Sequence, residues 1–156
     1  MPSVLFVCHG NICRSPMAET ILRHKCQLAG LNDITVDSAG IISYHRNELP
    51  HKGTLNILRE HGISASGIKS RPVEDSDFYN FDLIIAMDFD NIANLNKIKP
   101  KNTTAQIKLL SGFVGDDWEE VPDPWYTGDF NLVYQMIEKA MNNILNELNK
   151  YKIERM

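Results

Sequence analysis

No stretch of this 156-residue chain is apolar for long enough to cross a bilayer. The N-terminal run Val4 to Val7 is broken at once by His9, Gly10 and Arg14, whereas a span needs roughly 20 apolar residues and a signal peptide a longer core. The expectation is a cytoplasmic protein with no membrane association. Basic residues are also in short supply. Sixteen Lys and Arg against 20 Asp and Glu leave a net charge of -4 and an isoelectric point near 5.7. No basic face is available to neutralise a nucleic-acid backbone, so a nucleic-acid partner is excluded and any phosphate site must be local. Cysteine is scarce too: Cys8, Cys13 and Cys26 form no disulfide framework and read as free thiols in a reducing compartment. The five histidines lack zinc-site spacing with those cysteines, so no metal is expected. Repeats and low-complexity tracts are absent.

With 43% hydrophobic and 23% charged residues, the chain suits one compact domain, residues 1–156, with no internal boundary. Ser3 to Cys8 is short, continuous and partly β-branched, the pattern of a strand buried on both faces. After a turn at His9, Gly10 and Asn11, Ser15-Pro16 signals a helix start. Ala18, Ile21, Leu22 and Ala29 supply that helix's apolar face, and Gly30 ends it. A second strand is expected around Ile34, Val36 and Ser38, then a long loop from Ala39 to Pro50. Helix over Gly53 to His61, strand over Phe81 to Met87, a short helix over Asp88 to Leu95 and strand over Gln106 to Leu110 complete a β/α alternation. Residues 115–128 carry Pro122, Pro124 and two tryptophans without periodicity, a loop of a length that usually has a function. Asp129 then caps a last helix reaching about Lys150, with Val133, Ile137, Ala140, Met141, Ile144 and Leu148 on its packing stripe.

The chemistry concentrates in Cys8-His9-Gly10-Asn11-Ile12-Cys13-Arg14-Ser15, between a buried strand and a helix start, where open α/β sheets place their ligands. A loop winding onto a helix N-terminus aims backbone amides at one point and makes an anion cradle. Gly10 permits close backbone approach, and Asn11 tolerates the left-handed conformation. Arg14 offers a planar, permanently charged fork for two phosphate oxygens. Its charge and the helix end favour the ionised sulfur of Cys8, the form that attacks phosphorus. Ser15 is placed to donate to that sulfur. A departing alcohol still needs a proton, and Asp123, fixed between Pro122 and Pro124 and followed by Trp125 and Tyr126, is the best source. The two aromatic rings can wall a cleft suited to a tyrosine. Cys13 admits two readings: a partner for Cys8 in a reversible disulfide, or a small packed side chain.

The run from Val7 to Glu19, together with Asp123-Pro124-Trp125-Tyr126, resembles the low-molecular-weight protein tyrosine phosphatases over the whole chain. Ser38-Ala39-Gly40, Phe81-Asp82 and Ala86-Met87-Asp88 match comparable segments. The resemblance implies a flavodoxin-like α/β domain with a four-stranded parallel sheet flanked by helices. It implies hydrolysis of phosphotyrosine through a phosphocysteine on Cys8, with Asp123 protonating the leaving group and then activating water, and with no metal or other cofactor. It also implies that Asn11 and Ser15 organise the loop, that Cys8 and Cys13 form a redox pair, and that Tyr44 lines the substrate cleft. Partners would be phosphotyrosine proteins, met by a monomer. One departure is Ile68, where many relatives have a histidine that tethers the loop asparagine; Lys69 or Arg71 could compensate.

Rival functions remain within and outside this family. Arsenate reductases of similar fold relay oxidation through further cysteines, which residues 60 to 100 lack. A phosphocysteine carrier would not need both Arg14 and Asp123, and a phosphate-binding module would lack either the thiol or the acid. Relatives acting on phosphoarginine carry threonine at the position of Ile12, so Ile12 favours tyrosine.

Overall fold

The computed structural model describes residues 1–115 and 119–156. Strands β1 (Ser3–Cys8), β2 (Thr35–Gly40), β3 (Leu83–Ala86) and β4 (Gln106–Leu109) form one parallel sheet in the order β2-β1-β3-β4. The central strand is buried at all six positions, which is why its sequence is continuously apolar and does not alternate. Its side chains still alternate in direction. Val4, Phe6 and Cys8 enter one core with α1 (Arg14–Leu28), α2 (Lys52–Glu60) and α6 (Phe130–Glu154). Leu5 and Val7 enter the other, with Phe78 of α3 (Asp77–Asn80) and Leu95 of α4 (Phe89–Ile98). The expected single α/β domain with a four-stranded parallel sheet is what the chain forms.

Val133, Ile137, Ala140, Met141, Ile144 and Leu148 of α6 are all fully buried. Apart from Ala140, each of these side chains contributes about 1.5–3 kcal/mol of burial, so the helix packs through this stripe as expected. It runs to Glu154, one turn past Lys150. Ala29 is exposed and Cys26 takes its expected place in the core. Helix α1 starts at Arg14, with Cys13 at the cap and no side-chain cap bond. Ser15 therefore lies inside the first turn, and its hydroxyl is free for other use. The one-turn α3 carried no signal strong enough to read. In the stretch 115–128, Pro124–Thr127 forms a helical turn, α5, capped by Asp123; Trp118 lies outside the described residues.

Strand β1 has β2 on one side and β3 on the other: the chain passes from β1 to β2 on one side, then from β2 back across β1 to β3, so the direction of winding reverses at β1. The carboxyl end of β1 is therefore the switch point of the sheet. Cys8 sits there. Gly40, at the end of β2, completes the crevice: a Cβ on it would come within 2.9 Å of the Gly10 carbonyl carbon and 3.0 Å of the Asn11 nitrogen, so only glycine lets the strand pass the loop this closely.

Candidate active site

The loop between β1 and α1 turns through Asn11, whose φ is 59°, a conformation that asparagine tolerates better than most residues. Its carbonyls are captured from outside. The Ile41 amide donates to the Cys8 carbonyl and the Ile42 amide to that of His9, both at 3.0 Å; the His51 amide donates to the Ile12 carbonyl at 2.6 Å. The Thr54 hydroxyl donates to the Cys13 carbonyl at 3.0 Å. A trans peptide points its C=O and N–H in opposite directions. The His9, Gly10, Cys13 and Arg14 amides are thus turned to the concave side.

Asn11 organises the interior of the loop. Its Oδ1 accepts from the Arg71 amide at 3.0 Å, which fixes the orientation of its side chain. Its Nδ2 donates to the hydroxyls of Ser15 (2.8 Å) and Ser38 (2.9 Å). Ser38 passes its own proton to Glu19 at 2.6 Å. Burial pushes the Glu19 carboxyl up from its ordinary value, with Ser38 and Arg23 opposing. With a lone pair of Ser15 taken by Asn11, the Ser15 hydroxyl has two acceptors, the Cys8 sulfur at 3.0 Å and the Ala39 carbonyl at a long 3.4 Å, and an ionised Cys8, which has no proton to give, can only accept. The Ser15 amide also points at that sulfur, at 3.4 Å. Ile68 is a buried apolar residue and Lys69 is exposed, so neither tethers the loop. The tether comes from the Arg71 main chain, while the Arg71 guanidinium is clamped by Asp77 (2.9 and 3.0 Å) and Asp37 (3.1 Å).

Arg14 is only 1% exposed. Its Nη1 donates to Asp88 at 2.7 Å and to the Val121 carbonyl at 2.9 Å. Its Nη2 reaches Asp123 at a long 3.4 Å, and its buried Nε has no partner among the described residues. The Nε–Nη2 edge is thus the one left for an anion, two parallel donors that match two phosphate oxygens. Burial works to lower the Arg14 pKa, but the Cys8 sulfur, Asp88 and Asp123 outweigh it and hold the value above normal. Asp123 uses Oδ1 to accept from the Trp125 amide at 3.0 Å, which leaves Oδ2 on the Arg14 side.

These groups line a cleft of about 160 Å³ formed by Cys8, His9, Gly10, Ile12, Cys13, Arg14, Ile42, His45, Asp123, Trp125 and Tyr126. The structure therefore brings the expected Cys8, Arg14 and Asp123 together, with Trp125 and Tyr126 on the wall. Asn11 and Ser15 stand behind the loop instead of on its surface. Tyr44, expected on the cleft, stands outside this lining. It is 84% exposed; its ring meets the edge of His45 at 5.0 Å, and Ile42 and His45 form that wall. The space opened by the missing side chain of Gly10 is likewise filled by the His45 ring. All three cysteines are free thiols. Burial, then Cys8 and Asp123, push the Cys13 thiol up from 9.0 to about 12, so Cys13 stays protonated beside Cys8 and is no competing nucleophile. Among the described residues no cluster of His, Cys, Asp or Glu could hold a metal ion, and no helix is long and apolar enough to cross a membrane.

Sequence reasoning missed Asp88, Ser38, Glu19, Ile42, His45 and Thr54 as parts of the site. Asp88 had a usable signal, since it follows a buried strand and caps the next helix, at the same sheet edge as Cys8. The others are brought in by loops and helices whose placement no local pattern encodes.

The chain matches the family model "Low molecular weight phosphotyrosine protein phosphatase" over residues 3–154. It is 47% identical to a low molecular weight protein-tyrosine-phosphatase, YfkJ of Bacillus subtilis, over 97% of this chain and 99% of the relative. The crystal structure of YfkJ superposes with a TM-score of 0.92, covering 97% of each chain. A Drosophila arginine phosphatase superposes with a TM-score of 0.86 at 36% identity, covering 92% of this chain and 96% of the other.

Proposed function

Since the chain belongs to the low molecular weight phosphotyrosine protein phosphatase family, and is thus a phosphoric monoester hydrolase acting on phosphotyrosine, we propose the following division of labour among its residues. The Cys8 thiolate attacks phosphorus, forming an S–P bond as the P–O bond to the tyrosine breaks. Asp123 gives its proton to the departing phenolate. Water then attacks the phosphocysteine, its proton passes to the Asp123 carboxylate, and the thiolate leaves with help from the Ser15 hydroxyl. Arg14 and the loop amides hold the three equatorial oxygens throughout.

The observation that carries this reading is the Nε–Nη2 edge of buried Arg14, whose Nε has no partner among the described residues and whose Nη2 holds only a long 3.4 Å bond to Asp123, beside a sulfur that receives the Ser15 hydroxyl and amide. Nucleophile, anion clamp and acid face one cleft. Both steps are complete within one chain, which supports action as a monomer. Three free thiols support a reducing, cytoplasmic setting.

Ile12 lines the cleft and is almost fully buried. An apolar side chain there suits an aryl ester, whereas a phosphoarginine would leave guanidinium donors facing it without partners. Because an arginine phosphatase is among the similar structures, the test is a matched panel of phosphotyrosine, phosphoserine and phosphoarginine peptides, with Cys8→Ser as the inactive control. The phosphotyrosine peptide should be hydrolysed fastest by a wide margin. A higher kcat/KM on phosphoarginine would overturn the assignment of the tyrosine ester as substrate.

A further inference from the structure

The loop carbonyls are anchored by four groups of different kinds. Three are main-chain amides, those of Ile41, Ile42 and His51, which the course of the backbone supplies whatever side chains are present. The fourth is a side chain: the hydroxyl of Thr54, from the first turn of α2, donating to the Cys13 carbonyl across 41 positions of sequence. Thr54 is 0% exposed. A buried hydroxyl requires a partner, and here the partner is the peptide unit that carries the Arg14 amide.

That unit is poorly held otherwise. The only other donor to the Cys13 carbonyl among the described residues is the Met17 amide, at a long 3.4 Å. Cys13 itself has φ −118° and ψ −80°, outside helical values, so helix geometry does not set the direction of the following peptide. If the Cys13 carbonyl rotates, the Arg14 amide rotates with it, because both belong to one planar unit. The Arg14 amide is the cradle donor closest in sequence to the guanidinium that shares the same anion.

Resting on the phosphatase reading of this cleft, we infer that Thr54 is a positioning residue for phosphate binding: its hydroxyl locks the 13–14 peptide so that the Arg14 amide faces the anion. Thr54 touches no substrate. Its effect runs through the oxyanion affinity of the loop; valine fills the same space but leaves the Cys13 carbonyl short of its donor, so thermal unfolding is followed beside binding.

The test is the Kd for inorganic phosphate and for orthovanadate, measured by calorimetry on the wild type, Thr54→Val and Thr54→Ser, with thermal unfolding of each. Thr54→Val should bind both anions about tenfold more weakly, the equivalent of one hydrogen bond's net worth, and lose kcat/KM on an aryl phosphate by a similar factor. Thr54→Ser restores the hydroxyl and should return both to within about twofold of wild type. Val binding as tightly as wild type overturns the inference and leaves the phosphatase reading untouched. Ser failing as badly as Val also overturns it, because the hydroxyl would not then be the operative group; this arm decides the matter even if Val does not fold. A wild-type protein that binds neither anion overturns the reading of the cleft and this inference with it.

Discussion

Replacing Asp88 by asparagine changes one atom and should cripple the site. Both carboxylate oxygens of Asp88 are committed to donors: Oδ1 accepts from the Asn91 amide at 2.8 Å and caps α4, and Oδ2 accepts from Arg14 Nη1 at 2.7 Å. Asparagine has a single acceptor oxygen. Whichever donor it serves, its NH2 must then face the other donor, so the variant loses a charge-assisted bond and gains a donor–donor confrontation beside a cation that is 1% exposed. A hydrogen bond to a charged group is worth about 1.5–3 kcal/mol, which corresponds to roughly 10- to 100-fold in kcat/KM. Because Arg14 grips phosphate in the bound state and more strongly in the reacting state, where charge builds on the oxygens, KM should rise and kcat should fall together, and competitive inhibition by inorganic phosphate should weaken. The assay is steady-state hydrolysis of an aryl phosphate with phosphate as inhibitor, alongside a melting curve. A folded Asp88→Asn protein with kcat/KM within twofold of wild type would refute the claim that this carboxylate aligns Arg14.

Asp123→Asn should slow phosphotyrosine hydrolysis far more than hydrolysis of an ester of an acidic phenol, since only the poorer leaving group needs the proton; equal losses would remove Asp123 as the acid. Cys13, whose thiol sits at about 12 in the folded chain against 9.0 ordinarily, binds an extra proton when folded between those values. Its contribution to stability should be intact below pH 9 and be lost as pH climbs toward 12, and Cys13→Ala should flatten that part of a denaturation-versus-pH curve. Tyr44→Ala should leave kcat/KM on a small aryl phosphate within about twofold of wild type, because the ring stands outside the cleft; a tenfold loss would contradict that placement. Ile137→Ala, at a position with 0% exposure on α6, should cost about 2–5 kcal/mol of stability, read by denaturant unfolding, without altering KM.

The parts of this protein legible from sequence are those whose determinants are local. A buried strand followed by Cys-x5-Arg and a helix start fixes the cradle, because amide direction follows from the turn itself; the apolar stripe of α6 shows its period without ambiguity. What escaped the sequence depends on long-range placement. Ser15 carries a helix-capping signal, yet its hydroxyl is drawn inward by Asn11 and Cys8, and Arg14 opens the helix instead. Tyr44 has the chemistry of a cleft wall, but loop 41–51 turns Ile42 and His45 inward. The question raised by Ile68 is answered by a main-chain amide at Arg71, for which no side-chain pattern could give a sign. Thr54 and Asp88 enter through helices whose distance from the cradle only folding sets.

The central claim is that phosphate passes through the sulfur of Cys8. Mixing the protein with an aryl phosphate of an acidic phenol, quenching within a turnover and mapping modified peptides by mass spectrometry tests it directly, ideally on Asp123→Ala, where the first step does not need the acid and the second lacks its base. The account predicts one phosphoryl group on the peptide bearing Cys8, on that residue and not on Cys13, and none in Cys8→Ser. Turnover that proceeds with the phosphoryl group on a histidine, or with Cys8→Ser still active, would contradict it.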